Sequence, residues 1–109
     1  MHELSIAQSV VDAVVERADG RQVLRVRLQV GRLSGVFPDA LRFSFELVTE
    51  GTGAQGATLE IDEPQGRAIC RSCAADLTLR DLVLLCECGS ADIEVVSGRE
   101  LLISSMEVA

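Results

Sequence analysis

The sequence predicts an α+β fold: a small three-stranded sheet covered by two helices, with an inserted, cysteine-bearing ribbon. Three observations predict it. Apolar residues recur at helical spacing near the N-terminus and again after Pro38. They alternate at strand spacing in two further segments, a last segment also reads as a strand, and all four cysteines fall between the second strand and this last one. A chain of 109 residues is one domain of ordinary size with room for a small appendage. The pattern assigns residues 1–66 plus 99–109 to an α/β part and residues 67–98 to the ribbon.

Leu4, Ala7, Val10, Val11 and Val14 recur at steps of three and four, and the pattern runs out in the polar stretch from Glu16 to Gly20. This predicts an amphipathic helix with a glycine stop. From Val23 the period changes to two. Leu24, Val26, Leu28 and Val30 fall on one face and Arg25, Arg27 and Gln29 on the other, as in a half-buried strand. Gly31, Ser34 and Gly35 predict a turn. Pro38 suits the first turn of a second helix carrying Leu41, Phe45 and Val48, closed by Gly51 and Gly53. Ala57, Leu59 and Ile61 alternate with Thr58, Glu60 and Asp62 as a second strand, ended by Pro64 and Gly66. The segment from Glu100 to Val108 reads as a third strand, returning to the same sheet.

Composition excludes several functions. Apolar residues make up 48 % of the chain, but there is no Trp or Tyr and only three Phe, so aromatic stacking on bases has little to work with. The net charge of −7, with ten Arg and no Lys, opposes phosphate backbones and anionic membranes. No apolar run approaches the roughly 18 residues of a membrane span, and the N-terminus does not read as a secretory signal. The expected setting is therefore cytoplasmic. Expected partners are proteins or cations, and the expected state is a monomer or weak homodimer.

Four cysteines in a reducing compartment point to a metal before they point to disulfides. Cys70-Arg71-Ser72-Cys73 is followed by Cys86-Glu87-Cys88-Gly89. Two close pairs at this distance read as a zinc-ribbon-like site, because two tight turns can present four sulfurs tetrahedrally to Zn(II). The second pair is one residue short. A three-sulfur site completed by Glu87 or water, and a rubredoxin-like iron site on the same thiolates, are the alternatives the spacing leaves open. A redox role for the CxxC finds no βαβ context. A nucleic-acid-reading ribbon would want a basic face, whereas Arg67, Arg71 and Arg80 are outnumbered by Asp76, Asp81, Glu87, Asp92 and Glu94.

The only histidine is His2. Met1-His2-Glu3 thus gathers an α-amine, a backbone amide, an imidazole and a carboxylate in three residues. Amine and imidazole can both be neutral donors near pH 7. The amide nitrogen between them can close fused chelate rings, and nitrogen-rich tetragonal coordination suits Ni(II) or Cu(II). The plain alternative is a frayed terminal residue. With no other histidine, an ordinary His-based general acid or base is missing, which argues against an enzyme.

An opening Met1-His2-Glu3-Leu4-Ser5, the stretch Val30-Gly31-Arg32-Leu33-Ser34-Gly35 after the first strand, and cysteine pairs near residues 70 and 86 together resemble the HypA/HybF family. Members of that family are metallochaperones for nickel insertion into [NiFe]-hydrogenase. The resemblance runs over essentially the whole chain. It implies nickel on the Met1 amine and His2, with Glu3 assisting or orienting, and zinc on Cys70, Cys73, Cys86 and Cys88. It also implies delivery to the hydrogenase large-subunit precursor and a nickel GTPase of the maturation system as partner. The family's second cysteine pair is usually CPxCG; this chain lacks the proline and one position. The competing reading is a zinc-ribbon adaptor that binds a protein without transferring nickel. Asp39, Glu46 and Glu50 read as a solvated helix face, and Phe43 and Phe45 as core or interface.

Overall fold

The computed structural model describes residues 3–109. Its elements run α1 (Glu3–Ala18), β1 (Val23–Val30), α2 (Pro38–Thr49), β2 (Thr58–Asp62), β3 (Gly66–Cys70), β4 (Asp76–Leu79), β5 (Ile93–Ser97) and β6 (Leu101–Val108). The strands form two three-stranded sheets, ordered β2-β1-β6 and β4-β3-β5. β1 pairs with β2 in parallel across the α2 crossover and with the returning β6 antiparallel. The predicted α+β class, with two helices on one small sheet and the cysteines in an insert, is what the chain adopts.

α1 forms because its buried residues, Ala7, Val10, Val11, Val14 and Ala18, repeat at the helical period and lie along one stripe. It stops where Asp19 and Gly20 turn left-handed, with φ of 50° and 85°. α2 starts at Pro38, whose fixed φ suits a first helical turn, and it buries Leu41, Ser44, Phe45 and Thr49. Both stripes pack with the inner face of β1 into one cluster whose largest fully buried side chains include Leu28, Leu41, Val11 and Val14.

One side chain departs from the alternation. Leu24 is exposed while Val23 is buried, because Val23 pairs with Val108 and Arg25 with Glu107, so two residues of β1 oppose one of β6. This bulge reverses the phase at the start of the strand. A second irregularity, between Arg27 and Leu28, places Ser104 as the extra residue on β6, where its hydroxyl donates to the Arg27 carbonyl. The outer face of the sheet is charged, with Arg25 and Arg27 paired to Glu60, Asp62 and Glu107.

The second sheet has little apolar mass of its own. Its buried cluster is Ala68, Leu79 and Leu33, and Leu33 comes from the loop after β1. Gly66, read in the sequence as an end of β2, instead opens β3. The two sheets are joined by backbone. Gly31 N–H donates to the Glu100 carbonyl at 2.8 Å, Arg32 N–H to Pro64 at 3.0 Å, and Leu33 N–H to Gly98 at 2.7 Å. Both strand crossings between the sheets are thereby tied to one short loop. A Cβ on Gly31 would sit 2.1 Å from the Gly98 oxygen, so the approach requires glycine. The result is an elongated molecule, 53 × 21 × 16 Å in extent.

Candidate metal centre

The four cysteines converge beyond the second sheet, from two turns of different length. In the first, Ala74 N–H donates to the Cys70 carbonyl at 2.8 Å, with Ala74 left-handed at φ 63°. In the second, Gly89 N–H donates to the Cys86 carbonyl at 2.9 Å, with Gly89 at φ 90°. The shorter pair thus closes its turn one residue earlier, on a glycine that takes the positive φ without strain. Cys70 N–H donates to Ala75 and Cys86 N–H to Ser90, sealing the base of each loop. The turns are also pinned together by a Ser72–Ser90 hydroxyl contact of 2.8 Å and by the Arg71–Asp92 ion pair at 2.9 Å.

The sulfurs of Cys70 and Cys88 are 3.7 Å apart, as are those of Cys73 and Cys86, and all four lie within 4.8 Å of one another. Sulfurs at the corners of a tetrahedron, about 2.3 Å from a central zinc, would be separated by about 3.8 Å. The four cysteines fit such an ion in distance and in donor chemistry. Cys70 and Cys86 are buried and Cys73 and Cys88 exposed, so the centre has an inner and an outer edge.

The electrostatics agree. The backbone N–H of Cys73, seconded by that of Ser72, is directed at the Cys70 sulfur and lowers that thiol to about 6 despite burial. Ala75 N–H acts in the same sense on Cys73, but the Cys86 and Cys70 side chains and burial outweigh it and leave Cys73 raised. At Cys88 the Ser90 N–H is outweighed by the Cys86 and Cys70 side chains, burial and Cys73, which push it up to about 12. One sulfur is therefore poised as a thiolate while neighbours hold their protons. A divalent cation at the centre would draw off the remaining protons and hold the whole set as thiolates.

Met1 and His2, the expected nickel ligands, lie outside the described residues. Glu3 is the first described residue and opens α1. Its Oε2 accepts the backbone N–H of Phe37 at 3.2 Å, which ties the start of α1 to the residue preceding α2. Sequence reasoning missed this contact, since nothing in the local pattern connects residues 3 and 37. Leu33 is named in the sequence only within the Val30–Gly35 stretch, and its place in the core of the second sheet is not read there. Asp39, Glu46 and Glu50 are all exposed.

A helix-covered sheet bonded through one loop to a second, smaller sheet with four converging thiols defines the class: a two-sheet α+β protein with a tetrathiolate centre able to hold a metal. Comparison with known proteins makes this specific. Residues 1–108 match the family described as hydrogenase/urease nickel incorporation, metallochaperone, hypA. A hydrogenase maturation factor HypA of Nostoc sp. is 44 % identical over 108 residues, covering 99 % of this chain and 96 % of that one. One of Geobacter sulfurreducens is 45 % identical, covering 99 % of each. The solution structure of the Ni metallochaperone HypA from Helicobacter pylori shares the fold, with a TM-score of 0.71 and 24 % identity over 99 % of this chain and 97 % of that one. The chain belongs to the HypA family of nickel-incorporation metallochaperones and thereby to hydrogenase maturation. Among the described residues no helix is long and apolar enough to cross a membrane.

Proposed function

We propose that the chain binds Ni(II) as cargo at its N-terminus and delivers it to the large-subunit precursor of a [NiFe]-hydrogenase, working in the cytoplasm with the nickel GTPase of the maturation system. The observation that carries this reading is a whole-chain family match joined to a sequence whose only histidine is residue 2. The Met1 amine and His2 imidazole would supply nitrogen donors, with the intervening amide. Glu3 would assist or orient them; its Oε2 accepts the Phe37 N–H at the start of α1.

Cys70, Cys73, Cys86 and Cys88 would hold zinc, which would serve to fold residues 67–98 as a unit, while residues 1–66 plus 99–109 form the nickel-binding part. Such a nickel site stays open to exchange. Delivery by ligand substitution needs only that the acceptor offer better donors, such as thiolates. Protein contacts then supply specificity, which suits a net charge of −7 that disfavours nucleic acid and anionic membranes.

The test is complementation of a strain lacking this protein. The native chain should restore nickel content and activity of the hydrogenase; His2→Ala should not, unless excess nickel is supplied. Full restoration by His2→Ala would instead favour the adaptor reading, in which the ribbon alone matters.

A further inference from the structure

Three of the four most exposed large apolar side chains outside the ribbon belong to α2 or its approach, and two of them are phenylalanines: Phe37 at 71 %, Phe43 at 65 % and Leu47 at 51 %, with Leu4 of α1 at 53 %. Two of the three aromatic residues in the chain therefore face solvent rather than the core. Their directions follow from helical phase. Arg42 donates to the Leu59 carbonyl of β2 and so marks the side of α2 turned away from α1. Ser5, Ile6, Ser9 and Val10 line a hollow with Leu101–Ile103 of β6 and mark the side of α1 turned away from α2. With roughly 3.6 residues per turn, Ala40 and Leu47 fall on the shoulder of α2 facing α1 and Phe43 on its outward crest beside them, with Leu4 and Gln8 on the opposing shoulder of α1. α1 and α2 start side by side, tied by Glu3 and Phe37, so these residues border one seam on the outer surface of the helical layer.

The rims of this seam are acidic. Asp39 and Glu46 run along α2 with Glu50 just past its end, and Asp12 and Glu16 along α1; all are exposed. None of Asp39, Glu46 and Glu50 has an ion-pair partner among the described residues, and Arg42, the one cation of α2, is committed to Leu59. Apolar floor and anionic walls together specify an occupant.

We propose that the outer α1/α2 seam is the docking site for an amphipathic helix of a partner protein, with an apolar stripe seated over Leu4, Phe43 and Leu47 and flanking Lys or Arg set against the acidic rims. A second copy of this chain is the wrong occupant on charge: two such faces would bring like-charged rims together in a molecule of net charge −7. One end of the seam lies where α1 begins at Glu3, beside Phe37. Any consequence for nickel transfer rests on the function proposed above; the docking surface itself does not.

The experiment is titration of the full chain with a fluorescein-labelled 18-residue helical peptide having one leucine face and lysine elsewhere. The same peptide with glutamate for lysine is the control. The lysine peptide should bind and the glutamate peptide should not. Phe43→Ser with Leu47→Ser should weaken binding at least tenfold, and these exposed positions leave the core intact. Glu46→Gln with Glu50→Gln should weaken it severalfold and reduce its salt dependence. Glu63→Gln, an exposed acid off the seam, should not change it. Equal weakening by Glu63→Gln, or indifference to the Phe43/Leu47 pair, would reduce the binding to general charge attraction and overturn the proposal. A native dimer converted to monomer by the Phe43/Leu47 pair would overturn it in favour of a second copy. His2→Ala should bind the peptide normally, which separates failure of docking from failure of the nickel assignment.

Discussion

The two sheets of this molecule are the same size in strands and opposite in what holds them. The β2-β1-β6 sheet buries a continuous apolar cluster with two helices, from Ala7 to Phe45 and Ala54. In the β4-β3-β5 sheet the buried apolar cluster has only Ala68 and Leu79 from its own strands, completed by Leu33 borrowed from the other part, with buried Cys70 at the metal centre, while Leu82, Val83 and Leu85 remain in solvent. Hydrophobic burial is enough to define the first. The second has too little apolar mass for an independent core, and its order is concentrated where four sulfurs meet. On the zinc assignment proposed above, a metal on the four sulfurs would do in one region the job that leucine and valine do in the other.

Depriving the ribbon of the proposed zinc should separate the two regions most strongly. Binding of structural zinc is worth about 10–16 kcal/mol in small zinc-folded units. Chelation, or Cys70→Ser, should therefore strip amide-exchange protection from residues 67–98 while β1 and β2 keep theirs. Retained protection in the ribbon would mean that Ala68, Leu79 and Leu33 suffice. The same site sharpens the argument through pH. Because Cys73 and Cys88 sit above the ordinary thiol range, they hold protons that the metal must displace. Zinc uptake by metal-free protein at pH 7 should release at least the protons of those two thiols, and apparent affinity should rise with pH. Cys70, lowered to about 6, should contribute little to that release.

The reciprocal perturbation is smaller. Leu41→Ala, at a fully buried position of the helix-covered core, should cost about 2–5 kcal/mol in urea unfolding. It should leave the zinc content unchanged. Smaller again is the junction. Gly31→Ala places a methyl against the Gly98 carbonyl and should cost about 1–3 kcal/mol. Its signature should be lost protection at Gly31, Arg32 and Leu33 together, because their three hydrogen bonds join the two sheets.

What the sequence discloses divides along the same line. β1 is legible to the residue, since Val23–Val30 obeys a local period and Gly31 ends it. Leu24 is misread because the bulge that exposes it is set by pairing with β6, at the far end of the chain. The cysteine cluster is legible in its spacing, including the short second pair, but the way Gly89 closes the tighter turn is not. The three short ribbon strands carry no strong alternation, so their pairing emerges only in the structure. Glu3 was named for its neighbours in sequence, while its partner, the Phe37 N–H, is contributed by tertiary contact alone.

The most direct test of two regions with two metals is metal analysis of the untagged chain with Met1 retained, alongside its His2→Ala and Cys70→Ser variants. The native chain should hold about one Ni(II) on nitrogen donors and one Zn(II) on thiolates. His2→Ala should lose the nickel alone and Cys70→Ser the zinc alone. Nickel binding that survives His2→Ala, or that disappears with Cys70→Ser, would contradict the account.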